Sequence, residues 1–210
     1  MTWTSGVGRV CGVLLDAIVR MLALARINPN LLTVMGLVVN TYAAFLFGYA
    51  TGENQRRMFL YAGLVIIGSG FFDLVDGRVA RASNKVSLFG GFFDSVVDRY
   101  SDASLFFGLI VYYARGNRFF YVVLTALVMI SSIMVSYARA RAESLIGTCR
   151  VGFLERPERL VLLIIGALFN VMAPVLWVIA VLSTITVIHR IVYTWQRTKE
   201  MEASAAGRAA

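Results

Sequence analysis

The fold of this chain is decided by one stretch, whose two halves read Asp73-Leu-Val-Asp76-Gly77-Arg78-Val-Ala80-Arg81 and Gly90-Gly-Phe-Phe-Asp94-Ser-Val-Val-Asp98. Apolar runs flank both halves, so we expect both to be helical. Residues three or four positions apart share one face of a helix, which puts two aspartates on one face of each half. The four carboxylates would then converge from two helices, where repulsion and desolvation destabilise them unless cations neutralise the cluster.

The simplest cation for this cluster is a divalent metal ion. Carboxylate ligands without Cys or His nearby favour Mg²⁺ or Mn²⁺ over zinc. Mg²⁺ held by carboxylates usually shares its coordination with a phosphate substrate, and two such ions can clamp a diphosphate during an in-line displacement. The stretch therefore predicts a site for two ions, formed by Asp73, Asp76, Asp94 and Asp98.

The composition indicates a polytopic membrane protein. The chain has 210 residues, of which 59% are hydrophobic and only 15% charged, far from the balance of a soluble domain. Cys11 and Cys149 lie far apart and suggest neither a disulfide framework nor a zinc site. The net charge is +8, and the basic residues are scattered between apolar spans. We therefore expect them to contact lipid head groups and phosphorylated substrates, and we expect no contact with nucleic acid.

Hydropathy predicts an all-α protein with six transmembrane helices, preceded by an amphipathic helix over residues 5–26 that lies in the membrane interface. The expected organisation is a juxtamembrane segment (1–30), a catalytic transmembrane domain (31–195) and a cytoplasmic tail (196–210) that frays. The predicted spans cover residues 31–50, 58–82, 88–114, 119–138, 160–172 and 175–193.

Three prolines mark expected helix boundaries. We expect Pro29 to lie in a turn, with Thr33 starting or capping the first span. Pro157 is expected in the first turn of the fifth helix, where proline is tolerated. Pro174 is expected in a tight turn between the fifth and sixth spans.

The distribution of Lys and Arg predicts the orientation. Most of them lie in segments that six spans put on the same side as the N-terminus, and the opposite side holds only Arg56, Arg57, Arg115 and Arg118. The positive-inside rule makes the richer side cytoplasmic. We therefore expect an enzyme of the cell (inner) membrane whose acidic site faces the cytoplasm.

The pattern Asp-x2-Asp-Gly-x2-Ala-Arg-x8-Gly-x3-Asp-x3-Asp resembles the signature of the CDP-alcohol phosphotransferases, integral membrane enzymes of phospholipid synthesis. Every fixed position is filled here. The resemblance implies that Asp73, Asp76 and Asp94 ligate metal and that Asp98, the fourth acid of the metal site, deprotonates the acceptor hydroxyl. It also implies transfer of a lipid phosphoryl group from a CDP-lipid, such as CDP-diacylglycerol, with release of CMP, and a homodimer. The implied CDP-lipid contacts are Asp73, Gly77, Ala80 and Arg81.

Four arginines suggest the acceptor. Arg139 and Arg141 close the fourth span and Arg156 and Arg159 open the fifth, on the same side as the acids. Guanidinium groups form bidentate contacts with phosphate, so these residues favour a phosphorylated polyol. The segments that contain these arginines, residues 136–143 and 151–159, also resemble the corresponding regions in the branch of the family that uses inositol phosphate. We interpret Glu143, Glu155 and Glu158 as ion-pair partners and not as ligands of acceptor hydroxyls, and Asp102 as a support outside the metal site.

Other functions stay open at this point. Glycerol 3-phosphate is also an anionic acceptor for the same chemistry. A membrane prenyltransferase uses acidic motifs with Mg²⁺ but releases pyrophosphate, and its acids have a different spacing. An ion transporter with intramembrane acids would show no turnover that depends on CDP-lipid.

Overall fold

The computed structural model describes residues 28–82 and 87–209, without the side chains at positions 74, 76, 77, 80, 82 and 205–209. The amphipathic segment predicted over residues 5–26 lies outside the described residues. The described residues fold into six helices: α1 (Pro29–Tyr49), α2 (Gln55–Ala82), α3 (Leu88–Arg115), α4 (Phe119–Ile146), α5 (Arg156–Leu168) and α6 (Met172–Ala209). They contain no strand, which confirms the all-α prediction for this part of the chain.

Three of these helices are long and apolar enough to cross a membrane: α1, α4 and residues 172–204 of α6. The helices α2 and α3 have 28 residues each but carry the charged residues of the acidic stretch. The helix α5 has 13 residues and spans about 20 Å, against roughly 30 Å of bilayer hydrocarbon. The membrane character is confirmed, whereas the count of six spans is not.

Several helix ends differ from the prediction. Asn28 caps α1, because its side chain accepts a hydrogen bond from Asn30 N at 3.1 Å. Thr33 lies inside the helix and donates to the carbonyl of Pro29, so the prediction that Thr33 starts or caps the span was wrong. The tail predicted to fray continues α6 as far as Ala209.

Of the two proline predictions for the last two helices, one is confirmed and one is wrong. Pro157 lies in the first turn of α5, as predicted. Pro174 belongs to the first turn of α6 and not to the preceding turn. That turn is made instead by residues 169–171, where Asn170 adopts a left-handed conformation with φ 56°; asparagine tolerates this conformation better than most residues.

The helices pack as a closed ring. In spatial order the contacts run α1–α2–α5–α6–α4–α3 and back to α1. The shared interior is an apolar cluster to which every helix contributes, including Phe47, Phe59, Leu109, Val128, Leu163 and Ile179. This ring brings the C-terminal ends of α2, α4 and α6 to the same end of the bundle as the N-terminal ends of α3 and α5.

The crossing of α1 and α3 is tight. A Cβ atom on Gly108 would lie 2.2 Å from the carbonyl oxygen of Ala44, so the two backbones touch where only glycine fits. Close to the same crossing, Asn40 donates to the hydroxyl of Ser101 across the buried interface. This contact fixes α3, and therefore its aspartates, against α1.

Candidate active site

One arginine side chain gathers three aspartates at the shared end of the bundle. Arg156, at the start of α5, places Nη1 2.8 Å from Asp73 Oδ2, Nη2 3.0 Å from Asp98 Oδ1 and Nε 3.2 Å from Asp102 Oδ1. Asp73 belongs to α2 and the other two to α3. The structure therefore brings together two halves of the acidic stretch with an arginine 83 positions away from the first.

Asp94 belongs to the same cluster. Its carboxylate is partly buried and lies near enough to Asp73, Arg156 and Arg99 to interact with them electrostatically. Ser87 caps α3 by accepting a hydrogen bond from Gly90 N at 2.9 Å, which starts the helix just before the acids. Asp94 and Asp98 then lie one turn apart on one face, as the spacing predicted.

A second arginine, which is buried, forms an ion pair with one aspartate of the cluster. Arg159 is 2% exposed, and its Nη2 lies 3.0 Å from Asp102 Oδ2. Its Nε and Nη1 have no hydrogen-bond partner among the described residues. Asp102 is therefore held between Arg156 and Arg159 of the neighbouring helix α5, whereas its place outside the metal site stays a prediction.

A cavity opens beside the acids. Its volume is about 440 Å³, and its walls come from the start of α3, the end of α4, the start of α5 and Arg190 of α6. The charged residues that line it are Asp98, Arg99, Arg139, Glu143, Glu155, Arg156 and Arg190. Asp98 and Arg156 thus face both the acidic cluster and a space large enough for a small polar ligand.

The far wall of the cavity is an ion-pair network. Glu155 Oε1 accepts from Arg139 Nη1 at 3.0 Å and from Arg190 Nη2 at 3.2 Å. Arg139 Nε also lies 3.0 Å from Glu143 Oε1. Glu143 and Glu155 are therefore ion-pair partners, as interpreted from the sequence. Glu158 is not part of this network, and its Oε2 instead accepts from Glu155 N at the start of α5.

Arg190 fastens the loop between α4 and α5. Its guanidinium is 1% exposed and donates to the carbonyl oxygens of Val135, at 2.6 Å, and Val151, at 2.8 Å. Gly152 has φ 131°, and a Cβ there would lie 2.7 Å from Thr186 Cγ2. Thr186 Oγ1 accepts hydrogen bonds from the backbone N–H groups of Phe153 and Leu154, the two residues after Gly152. The loop is thus tied to α6, which positions Glu155 and Arg156.

The predicted site residues divide into three groups. The structure brings together Asp73, Asp94, Asp98, Arg139 and Arg156 around the acids and the cavity. Arg81 is exposed near the end of α2, Arg159 lies beneath the cluster, and Arg141 lines a different groove, between α4 and α6. The side chains at Asp76, Gly77 and Ala80 lie outside the described part of the structure.

Sequence reasoning missed Arg190. Arg190 is a basic residue beside the end of an apolar span, and only the packing of α6 against the α4–α5 loop buries it. A signal did exist for Arg141, because residues two apart in a helix do not share a face. The spacing therefore predicts that Arg139 and Arg141 contact different spaces.

The donor set is suited to a hard divalent cation. Asp73, Asp94 and Asp98 supply carboxylate oxygens from two helices, with no Cys or His side chain among the lining residues of the cavity, and such ligands favour Mg²⁺ or Mn²⁺. Among residues with described side chains, no three acids, His or Cys are arranged closely enough to hold an ion by themselves. Arg156 lies between Asp73 and Asp98 and is paired with both. Asp76 is the remaining acid of the sequence signature.

Comparison with known proteins agrees with this arrangement of helices and acids. A family model described as CDP-alcohol phosphatidyltransferase matches residues 26–189. The archaetidylinositol phosphate synthase of Pyrococcus horikoshii is 41% identical over 188 residues, covering 89% of this chain and 93% of that protein. The phosphatidylinositol phosphate synthase of Mycobacteroides abscessus is 34% identical over 174 residues, covering 79% of this chain and 76% of that protein.

Solved structures show the same fold. The crystal structure of Mycobacterium tuberculosis phosphatidylinositol phosphate synthase with CDP-DAG bound has a TM-score of 0.77 and 28% identity, covering 86% of this chain and 93% of that one. The same enzyme in complex with manganese and citrate has a TM-score of 0.74 and 29% identity, covering 86% and 88%. The fold and the acidic site define a membrane-bound transferase of activated lipids. This chain belongs to the CDP-alcohol phosphatidyltransferase family.

Proposed function

We propose that this protein transfers the phosphatidyl or equivalent lipid phosphoryl group of a CDP-lipid to inositol phosphate, giving a phosphatidylinositol phosphate and CMP. The observation that carries the proposal is the shared wall of the cavity, where Asp98 and Arg156 meet the arginine network of Arg139 and Arg190. An acceptor hydroxyl and an acceptor phosphate need opposite charges within one small space. The cavity offers both.

The basic side of the cavity is suited to a phosphate. Arg139 and Arg156 present guanidinium groups from α4 and α5, and such groups bind phosphate oxygens in pairs. Arg190 is committed to the carbonyls of Val135 in α4 and Val151 in the loop, so its part is to position Glu155 and the loop. Arg139 is paired with Glu143 and Glu155, and Arg156 with three aspartates, so an acceptor phosphate takes the place of carboxylates that a neutral acceptor cannot replace.

Asp98 is the proposed base. Its Oδ1 is 3.0 Å from Arg156, whereas Oδ2 has Arg99 Nη1 only at 3.9 Å and can accept a proton from a hydroxyl in the cavity. The deprotonated oxygen then attacks the phosphorus next to the lipid, and the bond to CMP breaks. Proton transfer of this kind contributes about 10²- to 10⁴-fold to the rate.

Asp73, Asp76, Asp94 and Asp98 are the proposed ligands of two Mg²⁺ or Mn²⁺ ions. Such ions, when bound, neutralise the diphosphate and stabilise the leaving oxygen. Asp73, Gly77, Ala80 and Arg81 are the proposed contacts of the CDP-lipid, because they occupy the family signature on α2. The relative with CDP-DAG bound supports a diphosphate-linked lipid as donor.

The membrane arrangement is part of the proposal. All six helices cross the cell membrane, with α5 as the shortest, and the acidic end of the bundle faces the cytoplasm, where CDP-activated lipids and inositol phosphate are available. The excess of Lys and Arg in the segments on that side supports this orientation. Two copies of the chain form the enzyme, as the family resemblance implies.

A product assay tests the proposed function. Purified enzyme is incubated with a CDP-lipid, Mg²⁺ and, separately, inositol phosphate, glycerol 3-phosphate, inositol or serine, and the lipid product is identified by mass. We expect a phosphatidylinositol phosphate and stoichiometric CMP. If lipid product forms only with glycerol 3-phosphate, that compound and not inositol phosphate is the acceptor. Release of pyrophosphate would indicate prenyl transfer. Ion flux in liposomes without turnover would indicate a transporter.

A further inference from the structure

A second concave surface lies between α4 and α6, on the face of α4 opposite the cavity of the active site. This α4–α6 groove has a volume of about 360 Å³ and is lined mainly by Met134, Tyr137, Arg141, Leu145, Ile191 and Trp195. Its large apolar side chains are well exposed, with Ile191 at 60% and Trp195 at 56%. In a membrane, such a surface lies against lipid chains.

Two cations without a carboxylate partner lie at the groove: Arg141 lines it, and Lys199 lies against Trp195 in its wall. Arg141 donates to Ser144 Oγ at 3.3 Å, and Lys199 Nζ lies 4.2 Å from the centre of the Trp195 ring. Neither forms an ion pair within the described part of the chain, whereas nearby Arg139 and Arg197 are each paired with a glutamate. The charge at the end of the groove is therefore available to an external anion.

In the membrane arrangement proposed above, the groove lies at the depth where head groups are found. Arg141 follows Arg139 at the same end of α4, and Arg139 reaches the cytoplasmic cavity. Tyr137 and Trp195 are the amphipathic residues typical of a membrane–water boundary. An apolar wall with cations at its polar end matches a lipid with an anionic head group, and basic pockets between membrane helices bind such lipids.

We propose that the α4–α6 groove binds one anionic phospholipid, with Arg141 and Lys199 on its phosphate and one acyl chain along the apolar walls. The charge of the two unpaired cations selects an anionic lipid over a zwitterionic one. Apart from the buried Arg190, which borders both spaces, this site shares no lining residue with the cavity, so it does not depend on which acceptor the enzyme uses.

Quenching of Trp195 fluorescence tests the proposal. In a Trp3→Phe, Trp177→Phe background Trp195 is the remaining tryptophan. This protein is placed in phosphatidylcholine nanodiscs that contain a low fraction of dibrominated phosphatidylglycerol or, in a parallel sample, dibrominated phosphatidylcholine. We expect the anionic lipid to be enriched next to Trp195 about tenfold over its bulk fraction, and the zwitterionic lipid not to be enriched.

The variants decide the assignment. Arg141→Gln with Lys199→Gln should abolish the enrichment, whereas Arg197→Gln, which removes a cation already paired with Glu200, should preserve it. Equal quenching by both brominated lipids, or an equal loss in the Arg197 control, would overturn the lipid site. Displacement by soluble glycerol phosphate would assign the groove to a free phosphate instead. A raised KM for inositol phosphate in Arg141→Gln, with lipid enrichment unchanged, would assign Arg141 to the acceptor.

Discussion

Arg156 Nη2 lies 3.0 Å from Asp98 Oδ1, in a wall shared by the acidic cluster and the cavity. This contact leaves one oxygen of Asp98 for a proton while it holds the carboxylate in place. It also keeps a guanidinium beside the proposed position of the acceptor. The pair joins the acidic cluster to the cavity proposed for the acceptor, and most of the expected behaviour of variants depends on it.

Replacing Asp98 with asparagine should stop turnover and spare binding of the CDP-lipid. The amide cannot accept the proton, so we expect the rate of CMP release to fall by about 10²- to 10⁴-fold. The proposed CDP-lipid contacts on α2 are unchanged. CMP release and binding of labelled CDP-lipid are measured on the same preparation, and a rate within tenfold of the wild type would remove Asp98 as the base.

Replacing Arg156 with glutamine should destabilise the protein and make its stability depend on divalent metal. Three carboxylates lose their shared cation, which costs roughly 3 kcal/mol at a largely buried site. Because binding to the folded state stabilises it, Mg²⁺ should raise the Tm of this variant more than that of the wild type. Arg197→Gln is the control, since its exposed pair contributes less than about 1 kcal/mol. An equal Mg²⁺ response in all three proteins would contradict this reading of the acidic cluster.

Arg139→Gln and Arg141→Gln form a matched pair on one helix. Arg139 lines the cavity and Arg141 does not. A lost charge-assisted hydrogen bond of about 1.5–3 kcal/mol corresponds to a KM for inositol phosphate raised by about ten- to a hundredfold in the first variant alone. Steady-state kinetics at saturating CDP-lipid measure both, and equal effects would place the acceptor elsewhere.

Arg190→Gln should loosen the α4–α5 loop. The carbonyls of Val135 and Val151 lose their guanidinium donor, and each hydrogen bond to a charged group contributes about 1.5–3 kcal/mol. We expect faster hydrogen exchange over residues 147–155 and a raised KM for the acceptor, because the loop carries Glu155. Hydrogen exchange in α1 serves as the internal reference, and unchanged exchange in the loop would show that Arg190 does not fasten it.

Gly108→Ala should destabilise the crossing of α1 and α3. The added methyl group would lie 2.2 Å from a backbone carbonyl oxygen, and such overpacking typically costs 1–3 kcal/mol. Gly68→Ala is the matched control, because a Cβ there meets nothing within 4 Å and alanine favours the helix. The Tm should fall in the first variant and stay or rise in the second; a stable Gly108→Ala protein would mean that the two helices can separate without cost.

The sequence by itself determined the helical class, the membrane character and the acidic centre. Apolar runs long enough to cross a bilayer allow few other structures, because backbone groups in lipid must be bonded within the segment. Asp94 and Asp98 share one face of α3 because they are four positions apart, close to one turn of the helix. These properties are local, so they can be derived from neighbouring residues.

Only the tertiary structure decided which arginines share the cavity. Arg156 meets Asp73 across 83 positions, and Arg190 reaches the carbonyl of Val135 across 55. Such contacts depend on the ring order of the helices and on the depth at which each side chain lies, neither of which is set by a local pattern. The same packing separates Arg139 from Arg141 by turning them to opposite sides of α4, so that neighbouring arginines contact different spaces.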